Sequence, residues 1–307
     1  MDNHSDRDRL LSRRRLLAGA AIAGAAALLP AAEPQPEAGR RRSKLIGFSK
    51  PFQSAGPTET ADIVAQIGWD GIECPVRPKG QIEPERVEDE LPKFVEALKK
   101  VGREVVMITT AIKEVNPLAE KVLRTASKLG IRRYRLGFWT YSAAEPIEGQ
   151  IANIRAAMRD LAALNKELGL CGGHQNHSGA NYFGAPLWDL HESLQGFDPK
   201  QLGVCFDIGH ATIEGGLSWP LEARLLRPFY AVVYVKDFVW HKGPQGWDVQ
   251  WRPLGEGMVD RRFFQTLKQT GYDGPISQHH EYEVGSGPAM IQAMKNDLDV
   301  LRRWMDG

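Results

Sequence analysis

Short apolar runs alternate along this chain with longer stretches in which apolar residues recur every three or four positions. The short runs predict strands at 45–49, 70–74, 104–110, 131–137, 170–177, 202–207, 231–236 and 275–281. The longer stretches predict helices at 59–67, 84–101, 117–129, 147–168, 187–195, 220–228, 259–270 and 288–304. In 147–168, for example, Ile151, Ile154, Met158, Leu161, Leu164 and Leu168 make one apolar face. Gly68, Gly102, Gly130, Gly169 and Gly271 follow helical stretches, where a left-handed residue closes the last turn. Eight alternations predict an α/β fold of the (β/α)8 TIM barrel type, each strand covered by its crossover helix. The rival, an open doubly wound sheet, lacks a GxGxxG after the first strand.

Composition sharpens this picture little. The 307 residues carry 39 Lys and Arg against 38 Asp and Glu, and 42% are hydrophobic. That balance supports a globular body and gives no electrostatic case for nucleic acid. Cys74, Cys171 and Cys205 fall in or beside strands without a CxxC pair, which reads as reduced buried thiols. The front is different. Ser12, Arg13, Arg14, Arg15, Leu16 and Leu17 lead into a Gly/Ala-rich apolar run and a Pro/Ala-rich exit at Ala32. We read residues 1–38 as a twin-arginine signal peptide and linker, and 39–307 as a single barrel domain. The expectation is passage through the twin-arginine export machinery to the periplasm. An N-terminal membrane anchor is the alternative, but Leu16–Ala32 falls short of the roughly 20 strongly apolar residues a span needs, so the mature protein is expected to lack a stable one.

In such a barrel the chemistry sits where strands end at their C-terminal side. Polar residues collect there: Glu73 after strand two, Arg135 on strand four, Gln175 and His177 on strand five, Asp207 ending strand six with His210 in the following loop, Lys236 and Asp237 ending strand seven, His279 and Glu281 on strand eight. Inward carboxylates and imidazoles need counter-charges, protons or a metal. A divalent ion, Mn, Zn, Fe or Co, held by Gln175, Asp207 and His279 would satisfy three strands at once; a purely hydrogen-bonded polar layer is the alternative. His174 and His280 alternate away from the cluster and read as packing residues or as supports of the cluster from behind. Trp139, Trp219, Trp240, Trp247 and Trp251 lie in segments near the presumed mouth and suit the apolar faces of sugar rings.

The strings GWDGIECP, HQNHSG, CFDIGHAT, YVKDF and GPISQHHEYE resemble the xylose isomerase-like barrels, which include sugar-phosphate isomerases and epimerases, inosose dehydratases and an apurinic endonuclease branch. The resemblance covers about Leu45 to Arg303. It implies metal ligands at Gln175, Asp207, Tyr234 and His279, where sugar-epimerising relatives carry glutamate, aspartate, histidine and glutamate; only Asp207 keeps its type. Gln175 cannot serve as a base, so the usual two-glutamate proton transfer does not carry over. The reading is a metal-assisted isomerase or epimerase of a small carbohydrate or keto-sugar, with a lyase or hydratase of 3-keto sugars or glycosides as the alternative and a non-catalytic carbohydrate-binding barrel as the third. His177 and Glu281 are the acid/base candidates. Lys236 and His210 position oxygens, and Glu73, Arg135, Trp139, Asp237 and Trp240 are candidate substrate contacts. Neutral or keto-sugars are favoured over sugar phosphates, because carboxylates surround the available cations. The oligomeric state is left open.

Overall fold

The computed structural model describes residues 43–306; the twin-arginine reading of the first segment lies outside them. The barrel strands are β1 (Leu45–Phe48), β2 (Gly71–Pro75), β3 (Glu104–Thr109), β4 (Arg133–Arg135), β5 (Cys171–Gln175), β6 (Leu202–Asp207), β7 (Tyr230–Val235) and, after an inserted hairpin of β8 (Asp237–Gly243) and β9 (Gly246–Arg252), β10 (Ile276–Gln278). They close in the order β1-β10-β7-β6-β5-β4-β3-β2, all pairs parallel, while β8 and β9 pair antiparallel outside the ring. Around them run α1 (Pro57–Ile67), α2 (Val87–Lys100), α3 (Pro117–Lys128), α4 (Ile147–Leu168), α5 (Trp188–Leu194), α6 (Ile208–Gly215), α7 (Trp219–Leu226), α8 (Arg262–Gln269) and α9 (Gly287–Asp306).

All eight strands of the barrel and their covering helices occur where the periodicity puts them. The five helix-ending glycines have positive φ, as their positions require. Two elements depart from expectation. The segment after β7 is a paired hairpin and not an irregular loop. The residues after β6, read as a loop holding His210, form α6, whose N-cap is Asp207 with its carboxylate accepting from His210 N at 3.1 Å.

Side chains of alternate strand residues point into the ring. Glu73 illustrates it: from β2 it reaches Tyr234 on β7 and Ser277 on β10. Below that polar layer, Ile46, Met107, Cys205 and Val232 are buried together. Outside the ring, Trp69 is fully buried and its indole N–H donates to Gln278 Oε1 at 2.7 Å. Its ring lies where a Cβ on Gly47 would stand, 2.1 Å away, so β1 needs glycine there to pack against α1's end. Cys74, Cys171 and Cys205 are free. Among the described residues no helix is long and apolar enough to cross a membrane.

Candidate active site at the barrel mouth

The end of β7 places Lys236 at the centre of the mouth, 4% exposed. Its ammonium lies 3.1 Å from Asp207 Oδ2 and donates to His210 Nε2 at 2.7 Å. The Trp251 ring centroid is 4.7 Å from Nζ. Two partners leave one of its three N–H donors for something else. Burial and the Lys236 charge hold His210 well below the ordinary imidazole range. It is therefore neutral, and with Nε2 accepting, Nδ1–H donates to Ser178 Oγ at 2.8 Å.

His177, half-buried after β5, lies against His210 with ring centroids 4.0 Å apart and planes tilted by 40°. Its Nδ1–H donates to the Ser178 carbonyl at 2.8 Å, which fixes the tautomer and leaves Nε2 as the bare nitrogen. Burial first, and then Lys236, lower its pKa below 6.5. Across the mouth, His279 Nε2–H donates to Glu73 Oε2 at 3.0 Å, and its ring sits between Tyr234 (4.1 Å) and Phe48 (4.9 Å). Its Nδ1 has no partner among the described residues. A carboxylate that orients an imidazole is the arrangement that prepares a general base.

Several expected contacts take other roles. Glu73 is fully buried, and its oxygens accept from Thr109, Tyr234, Ser277 and His279, so it is a counter-ion beneath the mouth and not a substrate contact. Burial alone would raise its pKa, but His279, the Arg135 guanidinium and the Thr109 hydroxyl bring it down to about 2. Asp237 is buried too: Oδ1 accepts from the backbone N–H of Phe238 and Val259, and Oδ2 from Gly255 and Gly257. It ties the end of the hairpin to β7 instead of facing substrate. Glu281 at the rim is ionised and pairs with Lys50 at 3.1 Å. Trp139 packs on His174 and Phe183 and lines a cavity of about 500 Å³ beside α3 and α4. Trp219 packs on Phe263 in the helical layer, and Trp240 and Trp247 stand exposed on the hairpin. Of the five tryptophans, Trp251 alone contacts Lys236 and His210. His174 and His280 lie in aromatic surroundings, His174 Nε2 3.0 Å from the Phe183 carbonyl and His280 Nε2 3.4 Å from Asp297 Oδ2.

The donor set does not fit a divalent ion. Gln175 is brought beside Asp207, but its oxygen accepts from Arg135 at 2.7 Å and its amide donates to Asp207 at 2.8 Å. Asp207 is held by Lys236, and His279 is turned to Glu73. The expected sharing of one ion by Gln175, Asp207 and His279 is thus replaced by a network in which guanidinium and ammonium supply the positive charge. Among the described residues no three His, Cys, Asp or Glu side chains are grouped to hold a metal.

Sequence reasoning missed Ser178, which links the two histidines, and Arg77, half-buried after β2. The signal for Arg77 was its place just past a strand end, in ECPVRP.

Relatives carry the same architecture. A solved 3-keto-D-glucoside 4-epimerase from E. coli is similar over 85% of this chain and 100% of its own, at 16% identity and TM-score 0.65. A protein described as the probable 3-DHS dehydratase of Bacillus anthracis matches over 84% and 98%, at 16% and 0.65. A barrel protein from Mycobacterium smegmatis in complex with magnesium matches over 87% and 98%, at 15% and 0.64. An uncharacterised protein of Methanocaldococcus jannaschii is 34% identical over 89 residues, so the match spans 29% of this chain and 29% of that protein. Residues 61–304 match the family described as xylose isomerase-like TIM barrel, and the chain belongs to that family.

Proposed function

We propose that the protein is a carbohydrate isomerase or epimerase that moves a proton next to a carbonyl with its own side chains and no divalent ion. The observation that carries this reading is the buried Lys236 ammonium with a free donor, together with bare imidazole nitrogens on His177 and His279. His177 Nε2 takes the proton from the carbon beside the carbonyl. The electron pair moves onto the carbonyl oxygen, and Lys236 stabilises the resulting enediolate. That proton, returned by His177 to the former carbonyl carbon while a hydroxyl proton shifts between the two oxygens, gives the isomer; a water proton delivered to the original carbon from the opposite face, with His177 releasing its own to solvent, gives the epimer. A lyase reading uses the same enediolate, with His177 handing the proton it has taken to a departing hydroxyl, which leaves as water; the relative described as a probable dehydratase supports keeping it in the test.

The test is incubation of chelator-treated protein with aldoses, ketoses and 3-keto glucosides in heavy water. Isomerisation or epimerisation conserves the carbon skeleton and incorporates deuterium beside the carbonyl; elimination loses water. Both should vanish in Lys236→Met. Activity that appears only on adding a divalent ion, with Lys236→Met unaffected, overturns the proposal. Export by the twin-arginine route is part of the same proposal, supported by the arginine motif; fractionation of the full chain with Arg13→Lys and Arg14→Lys together should leave it in the cytoplasm.

A further inference from the structure

The mouth holds four cationic side chains, Lys50, Arg77, Arg135 and Lys236, against three carboxylates, Glu73, Asp207 and Glu281. Each carboxylate is engaged. Glu281 pairs with Lys50, Asp207 with Lys236, and Glu73 is saturated by Thr109, Tyr234, Ser277 and His279. Two guanidiniums are left without a direct ion pair among the described residues, although Glu73 and Glu281 lie near enough to favour the charge of Arg77, and Arg135 near enough to favour that of Glu73. Arg135 is 4% exposed, has no carboxylate within ion-pair distance among the described residues, and spends one nitrogen on the neutral amide of Gln175. Its Nε is buried without a partner. Arg77 likewise has no side-chain hydrogen bond or ion pair among the described residues. Both guanidiniums lie over the same ring, 5.6 Å and 5.7 Å from the Phe48 centroid, and Phe138 covers Arg135 at 4.9 Å.

Two like charges on one aromatic ring repel, and a buried guanidinium with an unused donor leaves a desolvation cost unanswered. Aromatic stacking offsets part of that cost and fixes the planes of the forks. We infer that Arg77 and Arg135 form a receiving site for an anionic oxygen group, a carboxylate or a phosphoryl, carried by the substrate whose proton His177 takes beside Lys236. The inference deepens the proposed function by naming the substrate class, an acidic or phosphorylated sugar. It reverses the sequence-based preference for neutral sugars, which counted carboxylates that the fold uses elsewhere.

Calorimetric titration of the full chain with D-glucuronate, D-glucose 6-phosphate, D-glucose and inorganic phosphate tests it. At least one anionic sugar should bind ten-fold or more tighter than glucose, with affinity falling as salt rises, and the stronger of the two identifies the source of the anion. Arg77→Gln, at a half-buried position whose side chain makes no hydrogen bond or ion pair among the described residues, should abolish the difference, and Arg135→Lys should reduce it while leaving the melting temperature within a few degrees. Equal affinity for glucose and both anions, or an unchanged preference in Arg77→Gln, overturns the inference even if the protein turns over a neutral sugar. Arginine-dependent anion binding without sugar turnover upholds the anion site and defeats the isomerase reading instead.

Discussion

At the scale of single residues the mouth is a set of fixed protonation states. His177 must be unprotonated to act as a base, and burial and Lys236 lower its pKa below 6.5. The acid limb of kcat/KM should therefore fall below pH 6.5, and an acid limb above that value would contradict the assignment. His177→Asn should lower kcat by about a hundredfold to ten-thousandfold, with binding of the anionic sugar retained. Glu73 has the opposite linkage from a raised group. Its folded pKa is lowered from 4.5 to about 2, so its contribution to stability is present above 4.5 and is lost as pH falls towards 2. Glu73→Gln should flatten the melting temperature across that window and lower it at neutral pH, because the buried partners of the carboxylate remain. These side chains were legible as a cluster because strand alternation places Gln175, Asp207, Lys236 and His279 inward. Their pairings were not, since spacing along a strand says which way a side chain points and nothing about which neighbour across the ring takes its lone pairs.

At the scale of elements, the strands and long helices were readable from period alone, and the two elements that escaped explain why. The β8–β9 hairpin buries only its first residues and exposes Trp240 and Trp247, so although Trp247, Val249 and Trp251 alternate with Asp248, Gln250 and Arg252, it has no continuous apolar run like those of the barrel strands and reads as a polar loop after β7. Helix α6 begins directly at Asp207, so its capping signal is hidden in a residue that also ends β6. The hairpin's return depends on a narrow fit: a Cβ on Gly257 would stand 2.2 Å from Asp237 Oδ1 and 2.4 Å from the Phe238 carbonyl. Gly257→Ala should therefore displace the carboxylate that gathers four backbone N–H groups. The expected outcome is faster proteolytic cleavage within 238–257 and a loss of turnover through Trp251, with the barrel's far-ultraviolet dichroism preserved. Unchanged proteolysis would show that Asp237 does not anchor the hairpin.

At the scale of the whole molecule, closure of the ring sets the charge that each strand must answer. Barrel fold and family were plain in the sequence because the eight-fold alternation and the strand-end strings agree with each other. The expected ion rested on the inward placement of Gln175, Asp207 and His279, and the resemblance added Tyr234 at positions where three of four residue types had changed. The structure supplies positive charge there through Lys236 and Arg135, so prolonged chelation should leave both melting temperature and turnover unchanged; a loss restored by a single metal would refute this. Glu222 gives a separate check on stability. It is largely buried, has an unpartnered oxygen, and burial with Glu214 nearby raises its pKa to about 7. Ionising it costs the folded state as pH rises from the ordinary carboxylate range through 7, so Glu222→Gln should raise the melting temperature most at alkaline pH. The ammonium at the end of β7 has one more consequence. A cation on a covalent stem is written in a codon and has no dissociation constant: scarcity in the surroundings cannot empty it, soaking cannot restore it, and an amine-directed reagent that reaches it would silence the protein for good.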